Sequence, residues 1–173
     1  MNRGKQLRIF HIITGLETGG AEFMLLKLVE AYPFPDEMQI LVIGEKGALS
    51  DAFERIGCQT IYLNVKRGKI PSLKDVFLAR RFARNFEPNI IHGWMYHGCL
   101  FGFLLRFLMP KGIKLIWGIR QSLGDFQDEK RLTRIVIRLM ASVSQSVDHI
   151  TYNSEVSQLQ HERIGFDSSA ARL

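Results

Sequence analysis

The sequence predicts an α/β fold, a three-layer sandwich with a mostly parallel central sheet and helices on both faces. Three observations predict it. Short apolar runs alternate with amphipathic stretches along all 173 residues, the order of repeated βαβ units. The runs are continuously apolar, as strands are when both faces of their sheet are covered. Apolar residues make up 46% and charged residues 23%, the balance of an ordinary globular domain and unlike that of a disordered chain. The length suits one domain, able to bury about 70% of its unfolded surface.

The elements follow in order. Leu7 to Ile13 reads as a buried strand and Ala21 to Tyr32 as a helix. Met38 to Ile43 is a second strand, and Ser50 to Ile56 a short helix ended by Gly57. Thr60 to Leu63 is a third strand. Ser72, with Asp75 three positions on, forms a capping-box pattern that starts a helix running to about Phe86, ahead of Pro88. Asn89 to His92 is a fourth strand, followed by a very apolar helix from His97 to Met109. Lys114 to Gly118 is a fifth strand. The long helix from Gln127 to Gln145 places Leu132, Ile135, Val136, Leu139, Met140 and Val143 on one face at helical spacing. His149 to Tyr152 is a sixth strand, and the Asn153-Ser154 pair, as a cap, starts a last helix that runs from Ser154 to Arg163.

The charge is lopsided. The net is +6, and eight basic residues face three acidic ones between Arg106 and Arg138. Such a stretch either attracts phosphate or is a solvated basic face. Arg131, Arg134 and Arg138 form a stripe of that kind. Cys58 and Cys99 are too few and too far apart for a disulfide framework or a cysteine zinc site, which fits a reducing compartment. The apolar run behind the basic N-terminus, Ile9 to Ile13, is too short for a signal-peptide core or a membrane span.

In a parallel α/β sheet, ligands bind beyond the C-terminal ends of the strands, so the loops there carry the chemistry. The first contains Gly19 and Gly20 at a helix start, with Glu22 in the first turn. Glycines let backbone approach a ligand, and a helix N-terminus offers N–H groups to an anion. The same pattern also makes a plain tight turn, and Glu22 can serve only the helix dipole. The spacing fits neither G-x-G-x-x-G nor a phosphate loop. No acid ends the second strand, Ile43-Gly44, which argues against a dehydrogenase.

The fourth strand leads into His92-Gly-Trp-Met-Tyr-His97. Trp94 and Tyr96 offer flat faces for a sugar ring or a base. His97, opening the next helix, is either an acid, base or hydrogen-bond donor or an ordinary capping histidine, whereas His92 fits a packed setting. Two histidines without a third ligand argue against a metal. After the fifth strand, Arg120 suits phosphate or carboxylate bidentately, or pairs with Asp125 as a salt bridge. Ser122 caps or binds. The helix from His97 to Met109 reads as core, or as a face that docks on a membrane with Arg80, Arg81 and Arg84 near it in sequence. No nucleic-acid reading motif is present.

Taken together, the loops resemble the N-terminal half of a retaining family-4 glycosyltransferase of the GT-B fold. The matching segments are His11-Ile-Ile-Thr-Gly-Leu-Glu-Thr-Gly-Gly-Ala-Glu22, Ile91-His-Gly-Trp-Met-Tyr-His97 and Ile116-Trp-Gly-Ile-Arg-Gln-Ser122. They are joined by Tyr152-Asn-Ser-Glu155 with His161 and Gly165-Phe166. The resemblance implies a Rossmann-like acceptor-side domain over residues 1–173, with a donor-binding C-terminal domain carrying an E-x7-E motif absent from this stretch. It implies transfer of a sugar from a nucleotide sugar to a glycan or lipid-linked acceptor, in synthesis of cell-surface polysaccharide. It implies no metal or other cofactor, and a cytoplasmic protein with peripheral contact at the inner face of the membrane. By this resemblance Gly19 and Gly20 approach the donor, and His97, Arg120, Ser122 and Asp125 lie on the acceptor-side rim. His97 and Arg120 are the candidate catalytic residues, and Gly19, Gly20, Glu22, Trp94, Tyr96, Ser122 and Asp125 the candidate binding residues. Without its partner domain the chain is expected to be inactive. The rival reading is a non-catalytic module that binds a nucleotide or a glycan.

Overall fold

The computed structural model describes residues 7–124 and 126–172. Seven strands form one sheet: β1 (Ile9–Ile13), β2 (Met38–Val42), β3 (Gln59–Tyr62), β4 (Ile90–Trp94), β5 (Lys114–Ile119), β6 (His149–Tyr152) and β7 (Ala171–Arg172). Their spatial order is β3-β2-β1-β4-β5-β6-β7, and every neighbouring pair is parallel. The helices are α1 (Gly20–Ala31), α2 (Ser50–Ile56), α3 (Leu73–Phe86), α4 (Met95–Phe107), α5 (Arg131–Val143) and α6 (Glu155–Arg163). The expected α/β sandwich is therefore the observed one. Its sheet is wholly parallel because each connection crosses over through a helix or a long loop.

The order reverses at β1 and β4, and the core divides there. On one face α1 and α2 bury Leu25, Val29 and Phe53 against Ile13, Ile40 and Val42. On the other, α3, α4 and α5 bury Ala79, Cys99, Leu105, Ile137 and Met140 against Phe10, Ile12, Leu115 and Trp117. The local signals act as expected: Ser72 and Asp75 make a reciprocal capping box, Gly57 closes α2 at φ +83°, and the Ser154 side chain accepts from the Ser157 N–H.

Three expectations need correction. β4 does not stop at His92 but runs to Trp94, and α4 starts at once at Met95. The helix expected from Gln127 to Gln145 is a 3₁₀ turn at Phe126–Asp128, α5 proper, and a second 3₁₀ turn at Ser144–Ser146. Its apolar arc is wider than its footprint on the sheet. Ile137 and Met140 are buried, whereas Leu132, Ile135 and Leu139, further round that apolar face, point to solvent.

Candidate functional site

The C-terminal edge of β1, β4 and β5 is the point where the strand order reverses, and there a parallel sheet opens a crevice. The structure brings three of the sequence-derived loops to that edge. Residues 14–19 leave β1, the β4–α4 junction carries Trp94 to His97, and Arg120 follows β5 directly.

The junction has no loop at all. Met95 takes up the reversal at φ +58°, a left-handed conformation that costs a residue with a Cβ about 1–2 kcal/mol. The turn closes tightly enough to require glycine on both sides. A Cβ on Gly93 would fall 2.5 Å from Cys99 Cα, and one on Gly98 2.6 Å from the Ile12 carbonyl oxygen. The first turn of α4 thus rests on the ends of β4 and β1. His97 is projected from that turn, exposed at the edge, and burial of its inner side lowers its imidazole pKa from the ordinary value.

Behind this edge runs a row of aromatic and basic groups. The Trp94 Nε1–H donates to His11 Nδ1 at 3.1 Å. An indole nitrogen only donates, so the His11 proton sits on Nε2, which is buried without a hydrogen-bond partner among the described residues. His92 stacks 4.6 Å from Trp94 and 5.3 Å from His11, centroid to centroid. Desolvation lowers the His11 pKa to about 3. It drives His92 well below its usual value too, with His11 and Arg120 adding to the effect. Both imidazoles are neutral near pH 7. Arg120 lies over the Trp94 ring, Cζ to centroid 5.4 Å, within the range of a cation–π contact. Its Nε is buried and has no hydrogen-bond partner among the described residues. This wall therefore presents one cation, oriented by an indole that His11 holds in place.

A second buried set fixes the next loop. His161 Nδ1–H donates to the Ser157 carbonyl at 2.7 Å, which leaves Nε2 to accept from the Tyr96 hydroxyl at 2.9 Å. Ser157 Oγ donates to the Gln121 carbonyl at 2.8 Å, tying α6 to the segment that follows Arg120. Ser122 is exposed on that segment. Asp125 lies outside the described residues.

On the β1 side, α1 has Gly19 as N-cap and no side-chain cap. The Glu22 carboxylate folds back over that position: a Cβ on Gly19 would meet its Oε2 at 2.3 Å. Open space surrounds the Cβ position of Gly20. An anion approaching this N-terminus meets backbone donors, with Glu22 as the group that must give way.

The two aromatics expected to offer stacking faces are placed differently. Trp94 is 1% exposed and Tyr96 3% exposed. Both rings are covered, the first by His11 and His92 and the second by its bond to His161. His11, Gly93 and Gly98 are the structural parts that sequence reasoning passed over. The spacing Gly93 to Gly98 across an apolar strand end was the available signal for the tight junction.

No helix among the described residues is long and apolar enough to cross a membrane. No group of three or more His, Cys, Asp or Glu among them is gathered as a metal site would need.

Comparison with solved structures extends the fold. The chain is similar to Anabaena Alr3699/HepE crystallised with UDP-glucose, with a TM-score of 0.75 at 16% identity over 96% of this chain and 43% of that one. It is similar to the lipopolysaccharide outer core galactosyltransferase WaaB, with a TM-score of 0.67 at 13% identity over 96% and 45%. It also resembles sucrose-phosphate synthase from Thermosynechococcus elongatus, with a TM-score of 0.62 at 11% identity over 96% and 47%. The chain spans less than half the length of each of these proteins. No family model and no curated protein matches its sequence.

Proposed function

We propose that this chain is the acceptor-side, N-terminal domain of a retaining family-4 glycosyltransferase of the GT-B fold. It takes part in moving a hexosyl group from a nucleotide sugar to a glycan or lipid-linked acceptor in cell-surface polysaccharide synthesis, at the cytoplasmic face of the membrane. The observation that carries this reading is the fold likeness to a structure holding UDP-glucose and to a galactosyltransferase. The edge where its three loops converge supports it.

In such a reaction the bond between the sugar's anomeric carbon and the diphosphate breaks. A bond from that carbon to an acceptor hydroxyl forms, the hydroxyl proton departs, and a nucleoside diphosphate leaves. The needs are donors for the developing phosphate charge and a polar group beside the sugar. Gly19, Gly20 and the start of α1 supply backbone N–H groups. Arg120 supplies the cation, with Ser122 on the same rim. His97 stands where it can contact sugar or acceptor, and a lowered pKa keeps it neutral and able to accept a proton near pH 7. Trp94 and Tyr96 act from behind the rim, Trp94 by orienting Arg120. The donor's remaining contacts belong to a second domain, so residues 1–173 alone are inactive.

The test is the full-length protein assayed against a panel of nucleotide sugars, beside His97→Ala and Arg120→Ala. Transfer by the parent, lost about 100-fold or more in each variant, supports the reading. Transfer that survives both substitutions, or transfer by residues 1–173 alone, contradicts it.

A further inference from the structure

His97 and Arg120 reach the edge from different elements, the first turn of α4 and the segment that follows β5. Each stands next in sequence to a residue held by α6. Tyr96 precedes His97, and its hydroxyl bonds to His161 Nε2 at 2.9 Å. Gln121 follows Arg120, and its carbonyl accepts from Ser157 Oγ at 2.8 Å. The bond from His161 Nδ1–H to the Ser157 carbonyl, at 2.7 Å, joins the two anchors. One path of hydrogen bonds therefore runs from the neighbour of His97, through His161 and Ser157, to the neighbour of Arg120.

This path is dry and has little freedom. Tyr96 is almost fully buried, and Ser157 and His161 are completely so. The rings of Tyr96, Tyr152 and Phe166 surround the His161 imidazole, with centroids at 5.8, 5.5 and 5.1 Å. The Ser157 carbonyl can only accept, so Nδ1 carries the proton and Nε2 accepts from Tyr96. Burial lowers the His161 pKa, with the Ser157 carbonyl opposing it in part, so the imidazole is neutral near pH 7. Both ends of the path are secured. The Ser154 side chain accepts the Ser157 N–H at 3.1 Å, and Gln121 Nε2 donates to Glu129 Oε1 at 3.0 Å. An apolar side chain would fill the space among three rings without desolvating an imidazole. What histidine adds there is direction, one bond toward each half of the rim.

We propose that His161 is a positioning residue for sugar transfer. From one buried point it sets the α4 turn that bears His97 and, through Ser157, the segment that bears Arg120. Two groups that meet one substrate from two elements are thereby held in a fixed relation before it binds. Displacing such a group by about 1 Å lowers a rate by roughly 100-fold. The purpose in catalysis rests on the transferase reading, whereas the coupling stands on the hydrogen bonds alone.

The test uses the full-length protein, labelled with ¹³C-histidine and ¹⁵N-arginine for NMR and assayed for sugar transfer well below its melting temperature. His161→Phe keeps a ring and removes both bonds. His161→Gln restores an acceptor toward Tyr96, and Tyr96→Phe deletes one hydroxyl. The expected result is that His161→Phe shifts the signals of the His97 ring and the Arg120 Nε–H, while those of His149, exposed at the start of β6, stay in place. In His161→Phe and Tyr96→Phe, kcat falls at least tenfold. In Tyr96→Phe, KM for the nucleotide sugar changes by about twofold at most. His161→Gln recovers at least threefold of the lost kcat. His97 and Arg120 signals that do not move, or a kcat within about twofold of the parent's in a folded variant, overturn the proposal. If His161→Phe does not fold, Tyr96→Phe decides through the His97 signal and kcat. A parent that transfers no sugar refutes the transferase reading and the catalytic role together, and the NMR signals then decide the coupling. An active parent with kcat unmoved in the variants refutes the positioning role and leaves the transferase reading standing.

Discussion

Replacing His11 by leucine tests the row behind the rim. His11 is fully buried and accepts the Trp94 indole N–H. Leucine has similar volume but no acceptor, so the indole donor is left unpaired in a dry site. That costs about 1–3 kcal/mol, or roughly 2–12 °C in Tm for a protein of this size. The loss depends on pH. Folding lowers the His11 pKa from 6.5 to about 3, so between those values the unfolded state binds a proton that the folded state excludes. The stability is fully present above pH 6.5 and is lost as pH falls, by about 1.4 kcal/mol per unit. At pH 5 this amounts to about 2 kcal/mol in the parent and nothing in His11→Leu. Urea unfolding at pH 7 and pH 5 should therefore show a destabilisation that shrinks or vanishes on acidification. Parallel stability curves for the two proteins across that range would refute both the burial of His11 and its hydrogen bond.

Gly98→Ala should lower stability by about 1–3 kcal/mol or more, because the new Cβ meets the rigid Ile12 carbonyl at 2.6 Å. Gly20→Ala, with open space around it, should stay within about 0.5 kcal/mol; thermal melts of the pair check both. Arg120→Lys keeps the charge but loses the planar stack on Trp94. In the full-length protein it should weaken sugar transfer by about tenfold, and a rate equal to the parent's would show that the stacked geometry has no role. Glu87 closes α3 in the left-handed region at φ +53°, where glycine is unstrained, so Glu87→Gly should stabilise by about 1 kcal/mol in denaturant titration.

The layered α/β architecture was legible because strands buried on both faces must be continuously apolar, and those of this chain are. The caps were legible because Ser72, Asp75 and Ser154 act through contacts only three residues away. The β4–α4 junction was not. A left-handed Met95 breaks the local preference of its residue type, and only the packing of Gly93 on Cys99 and of Gly98 on Ile12 makes it necessary. Trp94 and Tyr96 were therefore read as rim faces when their neighbours, His11 and His161, lie more than sixty residues away in sequence. How much of the α5 face is buried was not legible for a related reason. Periodicity shows that Leu132, Ile135 and Leu139 share a side with Met140, but the sheet covers only part of that arc. The edge that gathers His97, Arg120 and Gly19 was legible from topology alone, since strand order decides which loops become neighbours.

The most direct measurement is release of nucleoside diphosphate by the full-length protein from a matched nucleotide sugar, with and without acceptor, together with the anomeric configuration of the product by NMR. The account predicts release that depends on acceptor, a product with the donor's configuration, and loss of both in His97→Ala. Binding of the nucleotide sugar with no acceptor-dependent release, or a product of inverted configuration, would contradict it.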